Sequence, residues 1–131
     1  MAHSGEIVIK GHAPVHSTRV AAIRVDDSVH NFTFDIDTHN FRDLLIENIG
    51  NNPVYIKFSP CAIDDIEIPT LSRKDTIFSG ENVGWKLNPN GSMIIEYMDF
   101  SHIAMKCSNG KSTNIQIMGT LYPLNCVNGS L

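Results

Sequence analysis

What this chain has little of narrows its chemistry first. Only 18% of its residues are charged, against about 25% in ordinary soluble domains, so its exterior is polar but weakly charged. Ten basic against fourteen acidic residues leave a net charge of -4, and no basic cluster occurs. Nucleic-acid binding is therefore disfavoured, because that affinity comes largely from neutralised phosphates. Cys61, Cys107 and Cys126 are an odd set without C-x-x-C spacing, which argues against a disulfide framework and against structural zinc. The first residues lack the basic and apolar regions of a signal peptide. No apolar run approaches the ~18 residues that cross a bilayer, and neither a phosphate-cradling glycine loop nor a G-x-S-x-G elbow occurs. The expectation is a soluble, non-enzymatic chain made in a reducing cytosol, with no cofactor and no membrane or nucleic-acid partner.

What is present points to strands. Sixteen Ile and eight Val outnumber six Ala and seven Leu. Branched side chains fit a pleated surface, whereas Ala and Leu lead the helix scale. With 131 residues and 42% hydrophobic content, one domain with its own core is expected over residues 1–131.

Period-two alternation recurs along the chain, with turn residues between the runs. Ala21, Ile23 and Val25 share one face, as do Phe32, Phe34 and Ile36. Asp26-Asp27-Ser28 between those two runs predicts a hairpin. Further runs cover Leu44–Ile49, Val54–Phe58, Val83–Leu87, Met93–Tyr97, Ile103–Cys107 and Ile115–Ile117, with a short helical turn as an alternative around 39–43. Asn109-Gly110 between the last two is a strong hairpin signal. Residues 59–82, with Pro60 and Pro69, read as a long excursion with one short strand near Ile66 and Ile68. About eight or nine short strands predict an all-β fold, an antiparallel β-sandwich or jelly-roll-like barrel, with extended arms at 1–18 and 119–131.

Candidates for chemistry are weak. His12 and His16, which His3 and His30 could in principle join, flank Pro14, which opposes a helix, and on an extended segment they stand about 13 Å apart, too far to chelate one ion without a bend. Asp26-Asp27, Asp35-x-Asp37 and Asp64-Asp65 lack the glycine and terminal glutamate of a calcium loop. Cys107 alternates in phase with Ile103 and Met105, so it reads as a buried thiol rather than a nucleophile paired with His102. Three N-x-S/T triplets, at Asn31, Asn90 and Asn128, have no expected route to glycosylation. Trp85, a potential sugar-stacking platform, lies on a patterned strand and reads as core. No catalytic or metal residues are assigned.

One stretch carries a resemblance. Leu44-Leu45-Ile46-Glu47-Asn48-Ile49-Gly50-Asn51-Asn52-Pro53-Val54-Tyr55-Ile56-Lys57-Phe58 is similar to a segment recurring in small structural proteins of tailed bacteriophages. Leu87-Asn88-Pro89-Asn90-Gly91-Ser92 and the strand Ser112–Ile117 extend the likeness over about residues 41–120, leaving 1–40 and 59–82 outside it. The resemblance implies a virion protein assembled in the host cytoplasm. It would be a capsid decoration or cement protein, a tail or neck accessory, or a receptor-binding module of a fibre or spike. Its partner would be the major capsid protein or another virion protein, alongside copies of itself.

Ile7, Val8 and Ile9 are the candidate assembly contacts. Three consecutive β-branched residues put apolar groups on both faces of a strand, as expected of one covered on both sides. Glu6–Lys10 is therefore expected to add to a neighbour's sheet edge or to form the first strand of its own sandwich.

Overall fold

The computed structural model describes residues 17–33, 39–96 and 101–123. Eight strands follow in order: β1 (Ser17–Val25), β2 (His30–Phe32), β3 (His39–Asn48), β4 (Val54–Ser59), β5 (Trp85–Leu87), β6 (Ser92–Glu96), β7 (His102–Lys106) and β8 (Thr113–Pro123). No helix occurs among the described residues. The strand expected at 44–49 runs instead over 39–48, with a bulge between Phe41 and Asp43 where a helical turn was the alternative. Residues 119–123, placed in a tail by the sequence, continue β8. Residues 6–10 lie outside the described residues.

Pairing among the eight strands is antiparallel and matches the first strand with the last: β1 with β8, β2 with β7, β3 with β6, β4 with β5. Additional β3–β8 and β4–β7 ladders join these pairs into two four-stranded sheets, ordered β1-β8-β3-β6 and β2-β7-β4-β5. The described strands thus form one long hairpin rolled into two layers, the jelly-roll winding.

The two predicted hairpins are therefore not made. β1 and β2 lie in different sheets, as do β7 and β8. The turns form, but each carries the chain across the sandwich. Lys111 N–H bonds Ser108 C=O at 2.9 Å with Gly110 at φ 75°, a conformation glycine adopts without penalty. The 26–28 turn bonds that second loop rather than closing a hairpin: Cys107 N–H donates to Asp26 C=O at 2.8 Å, and Gly110 N–H to the Asp27 carboxylate at 2.8 Å.

Inward residues of both sheets form one core, with Val25, Leu44, Ile46, Val54, Ile56, Leu87, Ile103, Met105, Cys107, Ile115 and Ile117 all buried. A second, smaller cluster lies outside the β2-β7-β4-β5 sheet, where Tyr55 and Ala104 are covered by Ile66. The long connection from β4 to β5 folds back as a roof over that face. Asn31 clamps Ile63 through both backbone groups, at 2.9 and 3.0 Å. Lys106 Nζ donates to Asp65 at 2.9 Å and to Ile66 C=O at 3.2 Å. The strand foreseen near residues 66–68 is a single parallel bridge, Glu67 to Val83. Gly84 brings the chain back against Tyr55; a Cβ there would stand 2.9 Å from the Tyr55 Cβ and 2.6 Å from Ile66 Cγ2.

Candidate functional site

Three surfaces stand out, and the first follows from strand register. Directly opposite residues of neighbouring strands point to the same side of a sheet. On the β1-β8-β3-β6 sheet, Val20 faces Met118, Met118 faces Leu45, and Leu45 faces Ile94. All four are out of phase with the buried residues and so lie on the outer face. They form one apolar row across all four strands, about 14 Å between its outer members. Val20 is 64% exposed, Met118 40% and Ile94 71%. Ala22, Gln116, Glu47 and Ser92 border the row on one side, and Thr18, Asp43 and Glu96 on the other. An apolar patch with a polar rim is the ordinary form of a protein contact surface.

The second is the edge of the other sheet. Trp85 pairs with Ile56 and so points to the inner face, as alternation predicted. It is nevertheless 64% exposed, not core. Among the described residues β5 is the edge strand, and it is only three residues long, so no described strand lies beyond Trp85. A cleft of about 330 Å³ opens there between Ile56, Phe58, Val83 and Trp85, with Lys57 and Gly84 completing its wall.

The third is the end of the sandwich where residues 26–29, 49–53, 88–91 and 107–112 gather. Its centre is the fully buried Asn48. The Asn48 amide donates to Asn52 C=O at 2.8 Å and Leu87 C=O at 3.0 Å, and its oxygen accepts from Thr113 Oγ1 at 2.7 Å and Gly50 N–H at 3.2 Å. All four hydrogen-bonding positions of the amide are thereby used, and three loops are tied to one side chain. The sequence held a signal for this, a polar residue continuing the phase of Leu44 and Ile46 just before a turn.

Residues considered for chemistry are dispersed. His102 and Cys107 point to opposite faces of their sheet. Cys107 Sγ lies 3.5 Å from Val25 C=O, and burial, with Asp26 and Asp27 adding to it, pushes the thiol up to about 11, so it stays protonated at neutral pH. Cys61 is exposed. Asp26 accepts from Ser28 Oγ and Ser28 N–H and pairs with His30 Nε2 at 2.8 Å, which holds its carboxyl well below the usual range. Among the described residues, no three His, Cys, Asp or Glu side chains converge. Ile7, Val8, Ile9, His3, His12, His16, Asp35 and Asp37 lie outside the described residues.

No protein-family model matches the chain, and no curated protein matches it.

Proposed function

We propose that this chain is a non-enzymatic structural subunit of a tailed-bacteriophage particle, a capsid decoration or cement protein that acts by docking. The apolar row Val20–Met118–Leu45–Ile94 carries the docking part of the reading. Fully burying one such side chain contributes about 1.5–3 kcal/mol, and a contact repeated over a lattice gains further by avidity. The likeness over residues 41–120 supports the bacteriophage part. Ile7, Val8 and Ile9 remain a second proposed contact on a neighbouring subunit or the capsid.

The test is co-sedimentation with particles lacking this chain. Wild-type protein should load, and a Val20→Thr/Ile94→Thr double variant should need roughly tenfold or more protein to reach half occupancy. Equal loading of the two would end the docking reading.

Trp85 favours a second reading, a carbohydrate- or receptor-binding module. An exposed indole beside an apolar cleft can stack on a sugar ring. Glycan-array binding lost in Trp85→Ala would support it; binding unaffected by that change would remove Trp85 from the argument.

A further inference from the structure

The loop end of the sandwich holds a pocket that neither reading uses. It measures about 240 Å³, and its wall is almost wholly polar: Arg24 from the end of β1, Asn51 and Asn52 from the β3–β4 loop, Ser112 from the β7–β8 loop and Asn114 from the start of β8. Its frame is held before any ligand arrives. Asn52 Nδ2 donates to Ser112 C=O at 2.8 Å, Ile49 N–H to Asn114 C=O at 2.9 Å, and the buried Asn48 ties the same two loops together. Asn52 and Thr113 serve that frame, and the other polar side chains of the wall are uncommitted. Among the described residues, no hydrogen bond or ion pair occupies the side chains of Arg24, Asn51, Ser112 or Asn114. The nearby acids are engaged elsewhere, Asp26 by Ser28 and His30 and Asp27 by Gly110 N–H.

From these groups we infer that the pocket binds a single carboxylated sugar unit. An unpaired guanidinium calls for an anion, and its planar fork suits the two oxygens of a carboxylate. The rest of the wall offers amides and a hydroxyl, each able to donate and accept, which matches adjacent sugar hydroxyls. With so little apolar lining, a nucleobase or an aliphatic chain would find no surface to bury against. The volume lies below that of drug-sized sites, so one ring is what it holds. The site is distinct from both the apolar row and the Trp85 cleft, and its test does not depend on either.

The test is a titration of the ¹⁵N-labelled full chain with glucuronate, glucose and acetate, followed by amide shifts. Glucuronate should move the resonances of Arg24, Asn51, Asn52, Ser112 and Asn114 together, with a midpoint at least about tenfold below those of glucose and acetate. Arg24→Gln should weaken glucuronate about tenfold and leave glucose unchanged; Asn51→Ala/Asn114→Ala should bring glucuronate down to the level of acetate. The dispersion of each spectrum shows that the variant is folded. Acetate binding as well as glucuronate would reduce the site to an adventitious ion only and overturn the inference. So would a glucuronate midpoint that is unchanged in Arg24→Gln, or no glucuronate shifts in the wild type at all.

Discussion

The outer faces of the two sheets have the same kind of content and opposite fates. On the β2-β7-β4-β5 sheet, Tyr55 and Ala104 point outward and are buried, because the chain roofs them with Ile66 and clamps that roof through Asn31 and Lys106. On the β1-β8-β3-β6 sheet, Val20, Leu45, Ile94 and Met118 also point outward, yet Val20 and Ile94 are largely exposed and Met118 partly so. An antiparallel sheet tolerates one wet face when that face is polar. The roofed sheet meets this requirement within the chain. On the docking proposal, a partner would cover the bare one.

The largest expected effect lies under the roof. Ile66 is 1% exposed and is the main apolar group the excursion contributes to the smaller cluster. Ile66→Ala should destabilise the isolated domain by about 2–3 kcal/mol, the lower part of the range for such truncations, because a loop can partly collapse onto the void. Urea unfolding measures it. A loss under about 0.5 kcal/mol, the size of an ordinary surface substitution, would mean that the roof is an ornament and the two faces are equivalent.

This contrast was only half legible in the sequence. Alternation placed the strands and their buried phase well, since a two-residue period depends on nothing but the chain itself. Partner strands could not be read. β1 pairs with β8 across almost the whole chain, and a turn signal such as Asn109-Gly110 says that the chain bends, not which strand it returns to. Trp85 shows the same limit: its phase was read correctly, but its position on a short edge strand is a property of the assembled sheet. The bare row had left a trace. Leu44-Leu45-Ile46 and Met93-Ile94-Ile95 are apolar in both phases, the pattern that drew attention to Ile7-Val8-Ile9. Only the register shows that Leu45 and Ile94 belong to one row. The polar pocket had no comparable trace, because Arg24 and Asn51 meet only when the loops gather at one end.

A smaller effect comes from the ion pair that fastens the roof. The Lys106 ammonium, then the Ile66 N–H, hold the Asp65 carboxyl below its usual range. A carboxyl whose folded value is lowered contributes stability above its unfolded value of about 3.9, and loses it as pH falls through the folded value. The gap in urea midpoint between wild type and Lys106→Met should thus be full at neutral pH and close as pH drops below about 4. The Lys106 bond to Ile66 C=O leaves a small remainder. Asp26 and Asp75 are lowered too, but they titrate alike in both proteins and cancel in the difference. A gap independent of pH would assign the fastening to the carbonyl bond alone.

The smallest effect is expected on the bare face, and it is the sharpest test of the comparison. Val20→Thr/Ile94→Thr keeps branching at Cβ, so strand preference is little disturbed. Both side chains are mostly in water already, at 64% and 71% exposure, so little burial is lost. The isolated domain should change by no more than about 0.5 kcal/mol per site. Solubility should rise, since an exposed apolar row is also a surface for non-specific association. If the double variant instead unfolds at urea concentrations well below wild type, the row is already covered within the chain. Both outer faces would then be roofed, and the case for an external partner on this sheet would be gone.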